Sequence, residues 1–191
     1  GGEHLWNLKE NKEELINNFC DALDSLHSIA TVDANTEDMI DVYLKKTKSR
    51  VKEVRSLIRD IDEPMVKINS RMCINPLCDE EYFEEHIKKI SNIDKFNIIH
   101  GDNTFSNTIA DENSKIWFID PRGVFGSTPI YGDRRYDYAK LYYSAYGNYD
   151  SINSKDYRIK LGKRNVDLEI KSNGYEEYAD QIRRASCRER V

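Results

Sequence analysis

The side chains best suited to chemistry lie in Ile98-Ile99-His100-Gly101-Asp102-Asn103-Thr104-Phe105-Ser106-Asn107 and in Phe118-Ile119-Asp120-Pro121-Arg122-Gly123. An apolar run delivers Asp102 into a short polar loop, Asn107 follows five positions later, and a second apolar run ends at Asp120. Phosphoryl transfer from a nucleotide needs such a set: a carboxylate to receive or orient the proton of an acceptor hydroxyl, and two oxygen ligands for Mg²⁺. Asp102 is the candidate base. Asn107, with a neutral amide oxygen, and Asp120, with a charged one, are the candidate metal ligands. Two suffice, because Mg²⁺ takes a few protein oxygens together with substrate phosphates. Gly101 allows a sharp turn and a close backbone approach. His100 is expected to hold the loop through backbone hydrogen bonds rather than to make or break bonds. Taken singly, Asn107 could cap a turn and Asp120 could end a strand; their conjunction with Asp102 is what points to chemistry.

The elements around them must do the positioning. Phe96 to Ile99 is a short buried approach to the loop. Thr108–Ala110 and Lys115–Ile119 read as two strands joined by the polar turn Asp111-Glu112-Asn113-Ser114, a hairpin that brings Asn107 and Asp120 to one end. A helix is expected from about Arg134 to Tyr146, capped by Asp133. Upstream, Asn11-Lys12-Glu13-Glu14 reads as a capping box. It opens a helix through Leu15, Ile16, Phe19, Leu23 and Leu26 that ends near Ile29. A second long helix opens near Thr36, carries Ile40, Tyr43, Leu44, Val51, Val54, Ile58 and Ile61, and stops at Pro64. Residues 65–78 lack a clean period and read as an irregular connection. Asp79 is placed to cap a third helix through Tyr82, Phe83, Ile87 and Ile90. Tyr157–Leu161 and Val166–Ile170 alternate with period two around a polar turn, a second hairpin signal. Tyr175 onward begins another helix.

The chain has 191 residues, 39% hydrophobic and 33% charged, with a formal net charge of −5. Its length suits one domain or one lobe of a larger one. The acidic balance argues against a general nucleic-acid binder. No apolar run approaches the ~20 residues of a membrane span. The four cysteines show no paired-thiolate spacing and read as reduced, mostly buried thiols of a cytoplasmic protein. Cys73 and Cys78 with a histidine are a weak zinc alternative. The C-terminal Ile182-Arg183-Arg184-Ala185-Ser186-Cys187-Arg188-Glu189-Arg190-Val191 resembles one reading frame of a common short-read sequencing adapter, departing from it at Arg183. Residues 182–191 are therefore set aside as an artefact, and residues 1–181 are taken as the folded unit.

His100 to Tyr143 resembles the aminoglycoside phosphotransferase and choline kinase family, which shares the protein-kinase-like fold. HGDNTFSN is similar to that family's catalytic loop and FIDPRG to its metal-binding segment. YGDRRYDYAKLYYS is similar to the helix start that follows, where Asp133 and Asp137 match. Leu5 to Ile29 is similar to the first helix after the hinge. Among family members the likeness is nearest to bacterial phosphotransferases of surface-polysaccharide pathways. The resemblance implies an α+β fold, the mainly helical C-terminal lobe of a kinase-like protein with a catalytic β-hairpin. It implies Mg-dependent transfer of the γ-phosphoryl group of ATP or GTP to a hydroxyl of a small molecule, such as an amino sugar, a sugar or a choline-like alcohol. Asp137 would brace the catalytic loop beside His100 and Gly101. Ile109 and Ile119 are the candidates for the floor of an adenine site, with plain strand core as the ordinary alternative. No glycine-rich phosphate loop and no strand-borne lysine is found. The resemblance thus implies a missing N-terminal lobe of the same chain as a partner, an incomplete lobe at both ends, and poor ATP binding by this chain alone.

The acceptor is less legible. Residues 131–149 hold Tyr131, Tyr136, Tyr138, Tyr142, Tyr143, Tyr146 and Tyr149, whose faces could cage a quaternary ammonium. Tyr138, Leu141, Tyr142, Ala145 and Tyr149 nevertheless fall on one helical stripe, the pattern of packing. Asp133 and Asp137 could bind a cationic acceptor, the bracing role ranking first. After Asp120 the family often has an aromatic residue, whereas Pro121-Arg122 follows here. Arg122 could contact a substrate phosphate or carboxylate, or pair with a local Asp, the structural pairing ranking first. The competing function is a catalytically inactive kinase-like binding or regulatory module, and metal-dependent hydrolysis ranks last because His100, Asp102 and Asp120 are too sparse a cluster.

Overall fold

Alternation of apolar residues with periods of 3.6 and 2 along the same chain yields helices and short strands in mixture. The computed structural model describes residues 1–57, 60–75, 78, 80–162 and 165–187. It is 45% helical and 23% strand, which places it in the mixed α and β class. In chain order the first elements are β1 (Gly2–His4), α1 (Lys12–His27), β2 (Thr31–Asp33), α2 (Thr36–Ile40) and α3 (Lys46–Val54). β3 (Met65–Ile68), β4 (Arg71–Ile74), α4 (Glu80–Ile90), β5 (Lys95–Ile98), β6 (Thr108–Asp111) and β7 (Ile116–Phe118) follow. Next come β8 (Val124–Phe125), β9 (Thr128–Pro129), β10 (Tyr131–Gly132), α5 (Arg134–Ala145) and α6 (Tyr149–Asn153). β11 (Tyr157–Leu161), β12 (Val166–Ile170) and α7 (Ala179–Ala185) complete the chain. These elements form two units.

The first unit comprises Gly1–Asp33, Lys95–Asp156 and Ile170–Val191. Its core is built on the apolar stripe of α1: Leu15, Ile16, Phe19 and Leu23 are all buried. Phe19 meets Phe118 edge-on at 5.1 Å and Phe105 at 6.5 Å, which sets the hairpin and the polar loop against the helix. Tyr138 and Leu141 of α5 close the other side, and the buried Tyr138 hydroxyl donates to Asp24 of α1. Burial pushes the Tyr138 hydroxyl well above the usual phenol range, and the Asp24 bond adds to the shift. The sheet β1-β6-β7 is antiparallel throughout, and β10-β5-β2 carries the approach to the loop. Ile182 and Ala185 of α7 are each 1% exposed and pack into this core. Residues 188–191 lie outside the described ones.

The second unit comprises Ala34–Asp94 and Tyr157–Glu169. α2 opens at Thr36 as expected, with Asn35 as its N-cap, the Asn35 side chain accepting the Glu37 amide. The expected long helix runs without a break from Thr36 to Leu57, as α2, a π-helical segment at Asp41–Lys45, α3 and a 3-10 turn at Arg55–Leu57. Ile58 and the capping residue Asp79 lie outside the described residues. Residues 65–74, expected to be irregular, form the hairpin β3-β4 around Asn69 and Ser70, both left-handed at φ 47° and 64°. Two such residues are what a tight hairpin turn demands, and Asn tolerates the conformation best after Gly. β11 and β12 join this hairpin in the order β11-β12-β3-β4.

Two further readings are corrected. Asn11 sits at the N-cap of α1 but is itself left-handed (φ 54°) and makes no side-chain cap, so the capping box does not form. Of the cysteines, all free, only Cys20 is buried. No helix among the described residues is long and apolar enough to cross a membrane. Because Phe19 is wholly enclosed between α1, the loop and the hairpin, Phe19→Ala is expected to cost about 3–5 kcal/mol, measured by urea unfolding.

Candidate functional site

The β6-β7 hairpin is closed by Asp111, whose Oδ1 accepts the amides of Asn113 (2.9 Å) and Lys115 (3.0 Å). The Lys115 and then the Asn113 amide hold this carboxyl below its ordinary pKa. The turn sets the register Thr108↔Phe118, Ile109↔Trp117 and Ala110↔Ile116. One step beyond, the Ile119 amide donates to the Asn107 carbonyl at 3.0 Å, so Asn107 and Asp120 emerge at the same end.

The loop His100–Asn107 is held from beneath by Asp137 in the first turn of α5, a side chain with no exposure. Its Oδ2 accepts the His100 amide (2.9 Å) and its Oδ1 the Gly101 amide (2.7 Å), while His27 Nε2 lies 3.0 Å from Oδ2. The Asn103 side chain donates to the Asp137 carbonyl at 2.9 Å. A buried carboxylate is tolerable only with its oxygens satisfied, and here the loop's own amides do it.

His100 stitches the loop to the second segment. Its Nε2 lies 2.9 Å from the Ile119 carbonyl, and its Nδ1 lies 3.2 Å from the Asp102 amide. A carbonyl only accepts and an amide N–H only donates, so the ring is the Nε2–H tautomer with both nitrogens engaged. The Arg122 amide donates to the His100 carbonyl at 2.9 Å. Gly101 is left-handed (φ 80°), and a Cβ on it would stand 3.0 Å from Arg122 Cβ, so both the turn and the close approach require glycine.

Asn107 donates through Nδ2 to the Asp102 carbonyl at 2.8 Å, which turns its amide so that Oδ1 is the end left for a ligand. Asp120 is exposed and left-handed (φ 56°), a conformation that costs an L-residue roughly 1–2 kcal/mol and recurs at functional sites. Among the described residues no protein donor occupies its carboxylate. Backbone and side-chain bonds thus tie together the segments that carry Asp102, Asn107 and Asp120. Among the described residues, no group of three or more His, Cys, Asp or Glu side chains is placed to hold a metal ion, so the Cys73–Cys78 zinc alternative finds no support.

The Asp102 side chain is 44% exposed and pairs with Lys140, whose Nζ lies 3.0 Å from Oδ1. The same ammonium faces the rings of Tyr136 (5.7 Å) and Tyr143 (5.8 Å). Lys140 was not among the expected site residues. The signal was its place three residues after Asp137, which puts both on one face of α5. Arg122 makes no pairing with a carboxylate among the described residues; instead its Nη1 donates to the Tyr136 hydroxyl at 2.9 Å. Ile109 lies on the sheet face opposite the buried Thr108, Ala110 and Ile116, and Ile119 lies just past the end of β7, 38% exposed. Trp117, 51% exposed, sits directly opposite Ile109 on that outward face and was missed.

Asp150 of α6 is buried and accepts the Ser106 amide at 3.1 Å, anchoring the middle of the loop. Burial raises its pKa, partly offset by bonds from Ser144 and Ser106. No family model, no curated protein and no solved structure matches the chain.

Two outcomes follow from these anchors. Asp137→Asn puts an NH₂ group against backbone donors and is expected to destabilise by about 3 kcal/mol, read by urea unfolding, with lost amide-exchange protection at His100 and Gly101. For Asp150 the folded pKa lies above the unfolded one, so its contribution to stability is complete below the unfolded value near pH 4 and is lost as pH rises through the folded value. Asp150→Asn should therefore flatten the fall in the urea midpoint above about pH 4, in a titration of both proteins.

Proposed function

We propose that this chain carries the catalytic loop of a Mg-dependent phosphotransferase that moves the γ-phosphoryl group of ATP or GTP to a hydroxyl of a small molecule. Its fold is then the C-terminal lobe of a kinase-like architecture. The observation that carries this is the stitching of two segments. His100 bonds to Ile119, Arg122 to His100, and Asn107 to both Asp102 and Ile119, gathering one half-exposed carboxylate, one amide oxygen and one unpaired carboxylate at one end of a hairpin.

Asp102 would align the acceptor hydroxyl and take its proton as the oxygen forms its bond to the γ-phosphorus. The bond from that phosphorus to the β-bridging oxygen breaks, and the nucleoside diphosphate leaves with the electron pair. Lys140 holds the Asp102 carboxylate in place beforehand. Asn107 and Asp120 offer hard oxygens, one neutral and one charged, which fit Mg²⁺. When bound, that ion neutralises charge on the nucleotide phosphates. Ile109 and Trp117, with Ile119 just past β7, would form an apolar platform for a nucleobase once the Lys115 ammonium, 4.3 Å over the Trp117 ring, moves aside.

In the full-length protein, Asp102→Asn is expected to keep Mg-nucleotide binding by calorimetry and to lose about 10²-fold or more in phosphate transfer. Transfer at the parental rate would remove Asp102 from the role of base.

A further inference from the structure

Granting phosphoryl transfer at Asp102, we infer that the acceptor hydroxyl belongs to an anionic molecule, one carrying its own phosphate or carboxylate, held by Arg122 with Lys140 beside it. A cationic acceptor would need free carboxylates around the base. Those that the segment supplies are turned inward. Asp133 is 3% exposed, and its oxygens receive the Arg135 guanidinium at 2.7–2.9 Å. Asp137 is spent on the loop amides and His27. Asp150 is buried under Ser106. Of the tyrosines that could cage a quaternary ammonium, Tyr136 and Tyr143 already have the Lys140 ammonium facing their rings, Tyr138 is buried, and Tyr149 is stacked on Tyr143.

Apart from the exposed Asp120, which the proposed function assigns to the metal, the charges that border Asp102 at the surface are cations. The Arg122 stem lies against Gly101, immediately before the base. Its guanidinium gives one N–H to the Tyr136 hydroxyl, and among the described residues no carboxylate neutralises it. The remaining N–H groups form a planar fork suited to a phosphate or carboxylate. Lys140, paired with Asp102, faces the same Tyr136 ring whose hydroxyl receives Arg122, so Tyr136 links the two cations. An anion seated there would hold the rest of its molecule within reach of the base, the positioning that phosphoryl transfer chiefly requires. The step itself is unchanged: the acceptor oxygen bonds to the γ-phosphorus, the diphosphate leaves with the electron pair, and the proton goes to Asp102.

The test uses the full-length protein, Mg²⁺ and radiolabelled ATP or GTP with glucose, glucosamine, choline, glucuronate and glucose 6-phosphate. Calorimetric binding of the same five compounds is measured without nucleotide. Glucose 6-phosphate or glucuronate is expected to bind and to exceed glucose in kcat/KM by about tenfold or more, the two separating phosphate from carboxylate recognition. Arg122→Gln should raise the KM for that anion by about tenfold or more with the nucleotide KM unmoved, and Arg122→Lys should restore part of the loss. Preference for glucosamine, choline or glucose, or an Arg122→Gln effect confined to the nucleotide KM, overturns the anionic acceptor while leaving phosphoryl transfer standing. Absence of both binding and transfer for the two anions overturns it as well. Parental transfer by Asp102→Asn instead removes the base on which it rests.

Discussion

A single buried carboxylate organises the site. Asp137 has no exposure, and such a charge is tolerated only where donors replace the water it gave up. Its donors are the amides of His100 and Gly101 and the imidazole of His27. The requirement runs both ways, because those two amides face inward and need an acceptor as much as the carboxylate needs donors. His27 is the last residue of α1, and Asp137 lies in the first turn of α5. One satisfied charge thus joins two helices to the loop between them.

The same constraint divides the acidic residues by fate. Asp133, Asp137 and Asp150 lie in the interior and serve as a cap, a brace and an anchor. Asp102 and Asp120 remain in contact with solvent. Side-chain chemistry does not separate these two groups; burial does. Lys140 and Arg122, drawn to Asp102 and Tyr136, then set the charge of the surface beside the loop.

The hairpin is the second constraint. Once Asp111 closes the turn, the register is set, and the pleat sends Thr108, Ala110 and Ile116 to the core and Ile109 and Trp117 outward. The left-handed backbone at Asp120 lies just past the paired strands, where no ladder bond constrains it.

Periodicity and local chemistry were enough to read α1, the β6-β7 hairpin, α5 with its Asp133 cap, the pairing of β11 with β12, and the order of Asp102, Asn107 and Asp120. Each of these depends on neighbours within a turn or a strand, which is the range that sequence pattern records. The β3-β4 hairpin escaped because its strands are short and its turn is Asn69-Ser70 rather than a glycine pair. The α1 capping box failed because Asn11 takes a left-handed backbone that carries its side chain away from the amides it would have served. The burial of Ile182, the ion pair of Lys140 with Asp102, and the choice of Tyr136 by Arg122 were settled only by tertiary structure. Those contacts join residues many positions apart, and which partner a side chain meets depends on how packed elements bring distant segments side by side.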